Sequence, residues 1–138
     1  MQLSLGPIFY YWPRQQVEDF YQQALDSPVD IVYLGETVCP KRREVHPSEW
    51  LEMAAPLAEA GKQVVLSTLA LIESRADLAT LRKLCDHSGC LMEANDMAAV
   101  ELLSERNLPF VAGPSINIYN SASPVSYTHL TLPTILRV

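Results

Sequence analysis

The chain is short of basic residues, of cysteine and of glycine, and each shortage excludes something. Ten Lys+Arg stand against sixteen Asp+Glu, a formal charge of −6, whereas a phosphate-backbone binder needs a clustered positive face. Three cysteines are too few, and of the wrong parity, for a disulfide framework. Only five of 138 residues are glycine, and neither G-x-G-x-x-G nor G-x-x-x-x-G-K-[ST] occurs, so no Gly-rich phosphate loop is present. The longest apolar stretch, 64–72, is interrupted by Ser67 and Thr68, while a membrane-spanning helix needs about 20 apolar residues. No basic residue precedes Arg14, so the start lacks the positive region of a secretory signal. The expectation is a cytoplasmic protein with reduced thiols, no nucleic-acid partner and no membrane span. What the chain does have is apolar material, 49% against 19% charged, enough for a core.

That material alternates between two rhythms up to about residue 120. Short β-rich runs fall at 3–5, 30–34, 64–68, 91–93 and 110–112. Between them the spacing is helical. Val17, Phe20, Tyr21, Ala24 and Leu25 follow i, i+3, i+4, i+7, i+8, one apolar stripe. Trp50, Leu51, Ala54, Leu57 and Ala58 repeat it, with Pro47 suited to a first turn and Gly61 just past the end. Pro56 interrupts this stripe and predicts a kink or an early stop. Leu78, Leu81, Leu84 and Cys85 form a third stripe; Met97, Val100 and Leu103 form a fourth, with Asn95 as its N-cap.

The β runs are continuously apolar, as in a parallel sheet covered by helices. The fold class is therefore α/β, either an open doubly wound sheet or part of a (β/α)8 barrel. A complete barrel takes about 250 residues. On the barrel reading, residues 1–120 hold about four βα units plus a fifth parallel strand, the N-terminal half of a truncated barrel. Such a half leaves its first and fifth strands as open edges. Residues 121–138 do not continue the pattern, and Pro133 interrupts their only apolar run. The string VSYTHLTLPT at 125–134 resembles the translation of a transposase-end sequencing adapter. The tail is accordingly expected to be non-native and disordered, and His129 is set aside with it.

In a parallel α/β domain, function sits at the carboxyl ends of the strands. The loop at 35–46 is the longest and most polar candidate, holding Glu36, Cys39, Lys41, Arg42, Arg43, Glu44 and His46. Cations beside Cys39 favour thiolate, which suits a nucleophile or metal ligand; a solvated loop residue is the plainer alternative. Lys41, Arg42 and Arg43 would equally suit an anion. Glu36 and Glu93 end the second and fourth strands and would suit acid–base work or a cationic group if they share a pocket. Asn117 follows the fifth strand on the same side. Cys85 and Cys90 fall on the opposite, amino-terminal side and read as structural thiols. His46 and His87 have no Ser or Cys partner in a triad arrangement.

The segments LGPIFYYWP, VDIVYLGETVCPKRR, GKQVVLSTLALIES and LPFVAGPSINIYN resemble the collagenase-like peptidase family, over residues 1 to about 120. The resemblance is most specific around YLGE-x-x-C-x-K-R-R. It implies a (β/α)8-type core and a component of oxygen-independent ubiquinone-ring hydroxylation. It also implies a heterodimer with a paralogue, a quinone precursor as substrate, and a [4Fe–4S] cluster in each partner. Cys39 matches the first cluster ligand; the other three lie in the family's second half, so this chain alone is expected to bind no cluster and to be inactive. A cubane needs four thiolates, and Lys41, Arg42 and Arg43 would offset its charge. A collagenase-like peptidase and a non-catalytic partner subunit are the alternatives.

Overall fold

The computed structural model describes residues 1–42, 44–87, 89–118 and 134–135, with His87, Thr134 and Ile135 described by their backbone alone. Six strands form one sheet: β1 (Ser4–Leu5), β2 (Ile31–Leu34), β3 (Gln63–Ser67), β4 (Leu91–Ala94), β5 (Phe110–Ala112) and β6 (Thr134–Ile135). Every neighbouring pair is parallel, and the spatial order is the chain order, β1-β2-β3-β4-β5-β6. Four helices cross between the first five: α1 (Arg14–Asp26), α2 (Pro47–Glu59), α3 (Arg75–His87) and α4 (Met97–Glu105).

Strand alternation divides the core in two. Val32, Leu34, Val64, Leu66, Met92, Ala94 and Phe110 pack with buried residues from all four helices. Ile31, Val65 and Val111 turn the other way, joined by Tyr33 and Leu91 and by no helical residue. All described helices therefore cover one face. The strand order nowhere reverses, which removes the doubly wound arrangement, whose order turns back at a switch point.

The helices form where their stripes predict, with three departures. Pro56 does not stop α2, which runs on to Glu59. Pro56 is exposed, so the carbonyl deprived of its donor sits on the solvent side, where water can replace the bond. Ala58 is exposed rather than part of the stripe. The cap of α4 is Asp96, not Asn95: Asp96 Oδ1 accepts from the Ala98 N–H at 2.7 Å, and its Oδ2 accepts from the Ile72 N–H at 3.3 Å. The fifth strand is not an open edge, because Phe110 and Val111 pair with Thr134 and Ile135. The rest of the 121–138 tail lies outside the described residues.

Helix packing is pairwise, α1 on α2 and α3 on α4. An edge-to-face aromatic series fixes the first pair: Trp12 to Phe20 (5.3 Å), Phe20 to Tyr21 (5.2 Å) and Tyr21 to Trp50 (6.0 Å between centroids). Such contacts contribute about 0.5–1.5 kcal/mol each beyond burial. Tyr21 also donates its hydroxyl to the Tyr33 carbonyl at 3.0 Å, pinning α1 to β2. Among the described residues no helix is long and apolar enough to cross a membrane.

Candidate functional site at the carboxyl edge of the sheet

Because all strands run the same way, the loops after β2, β3, β4 and β5 meet on one rim. The first opens at Gly35, whose φ of 129° favours glycine; a Cβ there would stand 2.5 Å from the Ser67 carbonyl oxygen. The chain then folds back on Glu36, whose Oε1 accepts from the N–H groups of Val38 (2.9 Å) and Cys39 (3.0 Å). The Arg42 N–H donates to the Cys39 carbonyl at 3.1 Å. Two short-range devices thus hold a half-buried thiol on the rim.

Two members of the basic cluster are described, and they differ in their surroundings. Arg42 Nη1 donates to the Phe9 carbonyl at 2.8 Å, reaching across to the loop after β1. Lys41 is exposed, and Arg43 lies outside the described residues. Asn117 is exposed at φ 58°, ending the 3₁₀ turn Pro114–Ile116.

Cys90 immediately precedes β4 and Cys85 ends the α3 stripe, so both belong to the amino edge. A strand of four residues separates the edges by about 13 Å, far beyond metal–sulfur bonds of about 2.3 Å. Burial pushes both thiols above their ordinary pKa, which disfavours thiolate. One ion or cluster cannot take all three sulfurs. Among the described residues, no group of three or more His, Cys, Asp and Glu is placed to hold a metal ion. The residues of this chain do not by themselves fit a [4Fe–4S] cluster.

Glu36 and Glu93 stand on opposite faces. Glu36 borders the helix-bearing side. Glu93 follows Leu91 on the helix-free face, in register with Ser67 and Val111. It is 6% exposed, and its Oε2 accepts from Asn95 Nδ2 at 3.0 Å. Among the described residues neither carboxylate has an ion-pair partner.

Around Glu93 the structure assembles a polar knot that strand spacing did not reveal. Asn95 Nδ2 also donates to the Thr68 carbonyl (3.1 Å), and the Asn95 N–H donates to Thr68 Oγ1 (3.0 Å). The Asn95 carboxamide fits only because residue 113 is glycine: a Cβ there would collide with Oδ1 and lie 2.7 Å from Cγ. Among the described residues, Thr37 Oγ1, Ser67 Oγ and Asn95 Oδ1 are buried without partners. Buried groups of this kind cost about 1–3 kcal/mol each. The signal in the sequence was a run of polar residues, Ser67-Thr68 and Glu93-x-Asn95, closing two apolar strands.

A cleft of about 340 Å³ opens between α2 and α3 at the same rim. Its floor is apolar, from Trp50, Leu66, Ile72, Leu81 and Leu84, and Glu36, Arg42, His46 and Asp77 border it.

The fold defines a parallel α/β protein of sequential strand order whose longest loop opens at the carboxyl ends of the strands. No protein-family model matches the chain, and no solved structure matches it.

Proposed function

We propose that residues 1–120 are the N-terminal half of a (β/α)8-type domain of the collagenase-like peptidase family, similar to the ubiquinone biosynthesis protein UbiV. In this reading Cys39 is one ligand of a [4Fe–4S] cluster whose other three ligands come from outside this chain. The assembled protein acts in the cytoplasm with its paralogue UbiU in oxygen-independent hydroxylation of a quinone precursor. The carrying observation is the position of Cys39. It sits on the carboxyl rim of a sequential, singly covered parallel sheet, with its backbone held by Glu36 and Arg42. That is the edge where barrel enzymes place their chemistry. The chain's own part is positional: Glu36 fixes the loop and presents the sulfur, a soft donor suited to iron.

The reading is tested by iron content. Purified 1–138, reconstituted anaerobically with iron and sulfide, is expected to carry no stoichiometric iron; four irons per chain would overturn it. In a full-length relative, the substitution matching Cys39→Ser is expected to lower iron content, visible charge-transfer absorbance and ring hydroxylation together. Unchanged values of all three would favour a non-catalytic partner subunit, and peptide hydrolysis without iron would favour the peptidase.

A further inference from the structure

We infer that the cleft between α2 and α3 is a binding site for a small apolar molecule with an acidic head group, its body against the apolar floor and its carboxylate on Arg42. The helices pack most closely as the pairs α1–α2 and α3–α4, and the cleft lies along the seam between α2 and α3. Its volume, about 340 Å³, falls within the 300–1,000 Å³ typical of small-molecule pockets, which combine an apolar lining with a few polar groups.

Charge decides the head group. Arg42 stands in the wall between the cleft and the groove beneath the β1–α1 loop. One of its nitrogens, Nη1, donates to the Phe9 carbonyl, and among the described residues no carboxylate lies within ion-pair distance. A guanidinium carries five donors, so most of the fork is left for a ligand and matches a carboxylate bidentately. Each carboxylate on the wall has one oxygen engaged within the fold. Glu36 accepts from Val38 and Cys39. Asp77 Oδ2 accepts from the Ser74 N–H at 3.0 Å, and Ser74 Oγ accepts from the Asp77 N–H at 3.1 Å, closing the start of α3. A cationic ligand would meet carboxylates that already serve backbone donors through one oxygen each. An acidic one finds Arg42 ready.

This site goes beyond the cluster reading and does not rest on it, since binding is measured with no iron present. Chain 1–138 is titrated with para-butylbenzoate and with para-butylbenzamide, the neutral counterpart of the same shape. Calorimetry gives affinity, and the indole N–H resonances of Trp50 and Trp12 report location. The acid is expected to bind one-to-one, about tenfold more tightly than the amide, the equivalent of roughly 1.4 kcal/mol, and to shift Trp50. Arg42→Gln should bring the two affinities together. Ala76→Trp fills the mouth from an exposed helix position and should abolish binding of both. Thr80→Trp, also exposed on the wall, does the same if Ala76→Trp fails to fold. Equal affinities in the unaltered chain, an acid preference that survives Arg42→Gln, or absence of saturable Trp50 shifts overturns the inference.

Discussion

The two edges of the sheet treat polar groups differently. At the amino edge, partners are assigned. Asp30 Oδ2 accepts from the Leu3 N–H at 2.7 Å. Lys62 Nζ donates to the carbonyls of Ser27 (2.8 Å) and Val29 (3.0 Å), closing the end of α1 onto the start of β3. At the carboxyl edge, Thr37, Ser67 and Asn95 each keep a buried polar atom without a partner among the described residues. The amino edge is not free of such atoms, since Arg106 Nη1 is also unpartnered, but its guanidinium reaches Asp86 at 3.1 Å. The difference fits a division of labour in which one edge closes the fold and the other retains unspent hydrogen-bonding capacity for a ligand.

The largest test of this contrast uses one substitution at both edges. Gly35→Ala, at the carboxyl edge, must place a methyl 2.5 Å from the Ser67 carbonyl oxygen at a φ of 129°. Strain and overpacking together should cost about 3 kcal/mol. Gly61→Ala, at the amino edge, meets no atom within 4 Å and carries only the strain of φ 83°, about 1 kcal/mol. Urea unfolding of the two variants measures both; equal losses would mean that the carboxyl edge is no more tightly built than its counterpart. Next in size is Lys62→Met, which leaves two carbonyls without their donor and should cost about 1–2 kcal/mol by the same measurement.

A smaller effect follows from titration. Burial raises the pKa of Cys85, Cys90 and Tyr21, so folding favours their neutral forms. Each contribution is fully present below the unfolded value, about 8.5 for Cys and 10 for Tyr, and is lost as pH rises through the folded value. Thermal stability should therefore fall on the alkaline side, beginning near pH 8.5. Tyr21→Phe should flatten the part of that decline above about pH 10. An identical decline in Tyr21→Phe would remove Tyr21 from the account.

How much of this was legible in the sequence depends on the range of the interaction. The five strands to Phe110–Ala112 and the four helical stripes are local periodicities; each strand end lies within one residue of its predicted bound, and each stripe falls inside its helix. The loop of Cys39 was equally legible, because the carboxyl end of a parallel strand follows from strand order alone. The early stop offered at Pro56 failed because a stripe does not show that the lost bond faces water. Asn95 misled because it does precede α4, yet its side chain answers to Thr68 and Glu93. Those contacts depend on the β3–β4 register, Ser67 against Glu93, which no single segment encodes. The cleft was invisible for a similar reason: each helix shows its apolar stripe, but not which neighbour it leaves uncovered.

The smallest expected effect is also the most discriminating, because its sign differs from the others. Thr37 is 3% exposed and its hydroxyl has no partner among the described residues, while its carbonyl accepts from the Ala70 N–H at 2.8 Å. Thr37→Val keeps the backbone bond and the β-branched shape while deleting the unpaired hydroxyl. Removing a buried group that lacks a partner avoids its desolvation cost and should stabilise by about 0.5–1 kcal/mol. A loss of stability would mean that Thr37 Oγ1 is satisfied in solution, and the carboxyl edge would then hold less capacity for a ligand than its geometry indicates. Stabilisation of Thr37→Val beside destabilisation of Lys62→Met would place the functional cost on one edge and the structural gain on the other.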